Sequence, residues 1–139
     1  MSVSPNPSKP DQRALILVVE RNPTVQRLER YFLEQAGFTV EFTSDVFTAL
    51  ARAQEVHPKI LVTEILVPKL DGLNLCQTLK GNPETSDILV MIFSHLQAAD
   101  RAAEVGADAF LLKPLDEELL ITTLEKLLAV QQRAAREVN

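Results

Sequence analysis

Residues 59–72 read KILVTEILVPKLDG. Ile60 to Glu64 show no alternation of wet and dry faces, so they read as a strand buried on both sides. The run ends on a carboxylate just before a turn built by Pro68 and the Asp71-Gly72 pair. Open α/β sheets assemble their sites at the carboxyl ends of strands. Glu64, a charge where a buried strand stops, is therefore the first candidate functional residue.

Upstream, Leu15 to Val19 (LILVV) is a second apolar run of strand length, stopping at Glu20-Arg21-Asn22-Pro23. Asn22 suits a helix cap and Pro23 a first turn. Val25, Leu28 and Phe32 then fall at helical spacing as far as Gly37. Phe38 to Phe42 (FTVEF) alternates as a half-buried strand, and Ser44-Asp45 opens an Ala-rich helix that His57-Pro58 closes. Downstream, a helix runs from Asp71 to Lys80 with Gly81 as its stop, and Ile88 to Phe93 (ILVMIF) is a buried strand ending in Ser94-His95. A short helix spans about Gln97 to Val105, Ala109 to Leu112 forms a fifth strand before Lys113-Pro114, and a last helix starts at Asp116. Strict alternation of buried strands and helices implies a five-stranded parallel sheet between two helix layers.

The chain has 139 residues, 46% of them hydrophobic, enough for one domain at about 13–129. Residues 1–12, with Pro5, Pro7 and Pro10, read as a disordered arm, and 130–139 as a helical extension or linker that has lost its apolar stripe. No run has membrane length and the N-terminus has no signal-peptide core, so the expected location is the cytoplasm. A net charge of -5 offers no basic footprint for direct nucleic-acid contact. The lone Cys76 reads as a small buried hydrophobe.

Taken together, the acid-capped first strand, LVTEILVPKLDG, Ser94 after the fourth strand and GADAFLLKP make the chain resemble a receiver domain of two-component response regulators. The resemblance runs from about Ala14 to Leu128 and implies the flavodoxin-like (βα)5 fold. It also implies a mechanism: an aspartate ending strand three takes a phosphoryl group, and Mg²⁺ is held by that aspartate and an acidic pair after strand one. A hydroxyl and a lysine then bind the phosphate, and an aromatic on strand five reorients. Ser94 matches the hydroxyl, Lys113 the lysine, Phe110 the aromatic and Asp71-Gly72 the turn. The chemical core departs: Glu64 stands at the phospho-acceptor position, and Glu20-Arg21 where two acids are expected.

Three carboxylates against one lysine make an anionic site that wants a divalent cation, whereas Glu20, Glu64, Arg21 and Lys113 cancel. Mg²⁺ binding is therefore expected to be weak or absent. Arg21 is expected to stand in for the metal by pairing with Glu64 or Glu20, and Lys113 to bridge to Glu64. Glutamate's extra methylene carries its carboxylate about 1.5 Å too far for in-line attack, yet brings it towards where phosphate oxygens would sit. Ser94 reads equally as a helix cap or a phosphate-site relic, and Phe110 as a core aromatic. Only eleven residues separate Ser94 from Gly106, about one turn, ~3.6 residues, fewer than the resemblance implies.

The expected function is that of an atypical receiver in phosphorelay signalling: a phosphorylation-independent protein-interaction module, not an enzyme. Its expected partner is a protein, a signalling kinase or an output protein, with a homodimer or partner contact across the fourth helix, fifth strand and fifth helix where Leu111, Leu115 or Leu119 would be partly exposed. The alternative is a receiver that retains phosphoryl chemistry through a rearranged Mg²⁺ site using Glu20. With four glycines and no phosphate loop, a cofactor-binding enzyme has no support.

Overall fold

Successive side chains of a strand point to opposite faces, and the buried strand residues of this chain divide accordingly into two apolar cores. The computed structural model describes residues 14–66, 71–95, 97–114 and 116–138, with the side chains of the last helix described to residue 134. The proposed N-terminal arm, Pro68 and Leu115 lie outside the described residues.

The elements are β1 (Leu15–Val19), α1 (Pro23–Gln35), β2 (Thr39–Thr43), α2 (Val46–Val56), β3 (Ile60–Thr63), α3 (Gly72–Lys80), β4 (Leu89–Ser94), α4 (Ala99–Glu104), β5 (Ala109–Leu112) and α5 (Glu117–Val138). All strand pairings are parallel, in the order β2-β1-β3-β4-β5. Ile16, Val18, Ile60, Val62, Met91 and Phe93 face one core, closed by Leu33 of α1 and Leu120, Leu124 and Leu128 of α5. Leu17, Val19, Leu61, Val90 and Ile92 face the other, closed by α2, α3 and α4. Two helix layers thus cover the sheet.

Local chemistry sets the boundaries. Asn22 accepts from the Thr24 and Val25 N–H groups, Asp45 from Thr48 and Asp71 from Asn74, each satisfying orphan donors of a helix start. Helix α1 departs from its expected packing. The buried residues are Glu29 and Leu33, while Leu28 is 45% exposed, so the inward stripe is Val25-Glu29-Leu33 and not Val25-Leu28-Phe32. Helix α4 is six residues long, as short as the spacing requires. Helix α5 continues to Val138, and Gln131 ties its later turns to the domain by donating to the Asp87 carbonyl at 3.3 Å.

Candidate functional site

β1 is flanked by β2 on one side and β3 on the other, so the connections leave it in opposite directions and open a crevice between the ends of β1 and β3. Val19 is in register with Thr63, which makes Glu20 and Glu64 neighbours across that crevice. Ser94 is in register with Leu112, and the Lys113 N–H donates to the Ser94 carbonyl at 2.9 Å, placing Lys113 on the same rim.

Each position is fixed by backbone chemistry. The Glu20 N–H donates to the Thr43 carbonyl at 2.9 Å, Gln26 Nε2 donates to the Glu20 carbonyl, and Glu20 Oε2 accepts from the Asn22 N–H at 3.0 Å. Gly72 clamps the other wall. Its N–H donates to the Ile65 carbonyl at 2.8 Å, and a Cβ there would stand 1.9 Å from the Glu64 carbonyl oxygen, so no other residue fits.

The centre of the site is an ion pair. Lys113 Nζ is hydrogen-bonded to Glu64 Oε1 and lies 4.0 Å from Glu20 Oε1, with all three side chains less than a fifth exposed. Beneath it, the ammonium stands 5.6 Å from the centroid of the Phe93 ring. The expected Lys113–Glu64 bridge is therefore present, but Arg21 is not part of the site. It is exposed on the turn and makes no ion pair among the described residues. Glu20 turns inward, its Oε2 accepting from the Asn22 N–H, and Arg21, the next residue along, falls on the opposite, exposed side. Lys113 does the bridging that was expected of Arg21.

Ser94 is 1% exposed at the end of β4 and is not the α4 cap: Ala98 holds that position without a side-chain hydrogen bond. Phe110 is half-buried against the core shared with α2, α3 and α4.

The site residue that pattern reading missed is Glu29. It is 4% exposed, its Oε1 has no hydrogen-bond partner, and it lines the same cavity as Glu20, Glu64 and Lys113. Burial, then repulsion from Glu20, pushes its carboxyl up to about 8, against a smaller opposing pull from Lys113. Its spacing of four residues from both Val25 and Leu33 was the available signal.

Mg²⁺ needs several oxygen ligands in octahedral array. Here Glu29 is held neutral, Glu20 and Glu64 share one ammonium, and no group of three or more His, Cys, Asp or Glu is poised around a metal position among the described residues. A cation at this rim would have to compete with the Lys113 ammonium for Glu64 and Glu20. The cavity between these side chains, about 20 Å³, has room for one water-sized group.

Comparison with known proteins agrees on the architecture. Residues 16–125 match the family model for the response regulator receiver domain. The chain is 32% identical over 116 residues to the DNA-binding dual master transcriptional regulator RpaA of Synechocystis, covering 81% of this chain and 48% of that protein. It is 31% identical over 113 residues to protein PilG of Pseudomonas aeruginosa, covering 79% of this chain and 84% of that one. Among solved structures, the signal receiver domain of a histidine kinase from Syntrophus aciditrophicus superposes with a TM-score of 0.78 at 30% identity, covering 84% of this chain and 90% of that one. The chemotaxis response regulator CheY4 of Vibrio cholerae shares the fold, with a TM-score of 0.77 at 22% identity over 83% of this chain and 98% of that one.

Proposed function

This chain belongs to the response regulator receiver domain family, and from that membership we propose that it is an atypical receiver, a protein-interaction module working without aspartyl phosphorylation. The observation that carries this reading is the Lys113–Glu64 pair, because the lysine that the family resemblance assigns to a phosphate is engaged by a carboxylate of the chain itself. Glu64 brings a single charge where a phosphoryl group brings about -1.5 to -2, so the pair is a constitutive, partial stand-in for the phosphorylated arrangement. A phosphoryl group and its cation would have to displace that pair from a cavity sized for one water. The domain has no catalytic residue on this reading and uses no Mg²⁺.

A domain held in one state acts through a constant surface. Leu112 is 39% exposed at the end of β5 and Leu119 49% exposed on α5, beside the short α4. Leu111, packed against the α1/α5 core on one side, is only partly buried. Exposed apolar side chains ringed by charge mark interaction sites. The partner is a protein, a kinase or an output protein of a signalling pathway, or a second copy of this chain across α4, β5 and α5. The net charge of -5 argues against direct binding to nucleic acid.

Incubation with a small-molecule phosphodonor and Mg²⁺, followed by intact mass, tests the reading. No phosphoryl adduct is expected. An adduct lost in a Glu64→Gln variant would restore this chain to ordinary receivers. Light scattering on the parent chain and on Leu119→Glu tests the self-contact, and a strict monomer at high concentration would remove it.

A further inference from the structure

The crevice at the strand ends holds more carboxyl groups than it holds partners for them. Glu20 and Glu64 share Lys113, while Glu29 reaches the same cavity from α1 with its Oε1 unpaired. The charged groups facing Glu29 come from three elements: Glu20 follows β1, Glu64 follows β3 and Lys113 follows β5. From β4 its neighbour is the uncharged Phe93 ring, and neither β2 nor α5 contributes a residue to the cavity lining. On α1 itself, Arg27 and Arg30 are exposed, and no histidine lines the cavity.

We propose that Glu29 is a protonation site that regulates this receiver, with one proton acting where the family's site takes a phosphoryl group. The neutral carboxyl leaves Lys113 on Glu64. Loss of the proton brings a third carboxylate into competition for the single ammonium, draws Lys113 off Glu64 and loosens the packing of α1 on the strand ends. A proton shifts such an equilibrium because it binds one state far better than the other. The proposal rests on reading the site as independent of phosphorylation.

The pH window follows from the two ends of the titration. In the unfolded chain Glu29 titrates at 4.5, and in the folded domain burial and Glu20 hold it up at about 8. Below 4.5 both states carry the proton and Glu29 costs folding nothing through ionisation. Between 4.5 and about 8 only the folded state holds it, so the folding equilibrium constant falls by up to about tenfold per pH unit. Above that window the loss is complete.

The test follows the Glu29 carboxyl carbon by NMR across this range, with urea denaturation of the parent chain and Glu29→Gln, each in EDTA and in millimolar Mg²⁺. A Glu29 midpoint near 8 is expected, with the Glu64 carboxyl carbon reporting the same transition as Lys113 leaves it. The stability slope should vanish in Glu29→Gln, and neither result should depend on Mg²⁺. A midpoint near 4.5, a slope that survives in the glutamine variant, or a transition abolished by Mg²⁺ would overturn the proposal. If Glu29→Gln does not fold, the parent's carboxyl titration and Glu29→Met decide. A normal midpoint without a phosphoryl adduct sinks this proposal alone, whereas an adduct sinks the functional reading beneath it.

Discussion

Two lysine–carboxylate pairs sit at opposite ends of one sheet, their lysines about equally shielded from water and their carboxylates unequally satisfied. At the end where strands begin, Lys80 Nζ lies 2.9 Å from Asp108, donates to the Ile88 carbonyl at 2.8 Å and reaches the Ser86 carbonyl at 3.3 Å. Asp108 also accepts the Val90 N–H at 2.8 Å. Where strands finish, Lys113 serves Glu64, stands off Glu20 and leaves Glu29 unpaired. The lysines are 21% and 19% exposed, so burial of the ammonium does not distinguish the pairs, although Asp108 at 28% is wetter than Glu64 at 16%. What separates a structural clamp from a site is the number of groups left wanting a partner.

Substitutions can break or sharpen that contrast, and urea denaturation reads them all. Gly72→Ala should have the largest effect, about 3 kcal/mol or more of lost stability, because its new carbon meets the Glu64 carbonyl and deforms the wall of the site. Lys113→Met should cost about 2 kcal/mol by taking the ammonium from Glu64, Glu20 keeping the Asn22 N–H, discounted from a fully buried pair for its residual exposure. Glu29→Met should gain on the parent chain as pH rises, little at pH 5 and progressively more towards pH 8, by up to about 1.4 kcal/mol per pH unit, because over that range the unfolded parent sheds the proton that the folded parent keeps. Lys80→Met should cost about 1 kcal/mol, Asp108 keeping its backbone donor. If the two lysine variants fall in reverse order, the contrast between clamp and site is wrong.

The fold was legible because its strands are buried on both faces and each stops at a charge, cap or glycine that says where the next helix starts. Glu64, Glu20, Lys113 and Ser94 could be placed at strand ends for the same reason. Glu29 and Arg21 could not. Which stripe of α1 turns inward depends on how the helix is rotated against the sheet, and the apolar Leu28 and Phe32 drew attention to the neighbouring face. Which of the neighbours Glu20 and Arg21 turns into the crevice is set by the path of the turn after β1, invisible to any count of charges. Tertiary rotation and single turns decided what periodicity left open.

Helix α5 begins four residues after Lys113 and runs for 22 residues, a rod of about 33 Å. Its root is joined through Lys113 to the carboxylate cluster, and its first turns are clamped by Leu120, Leu124 and Leu128. The ten residues after Leu128, about 15 Å, extend past the core-packed half of the helix. The Gln131–Asp87 hydrogen bond holds the start of that extension to the segment before β4, so the direction in which the helix leaves the core is set by the same loop that feeds the central strands.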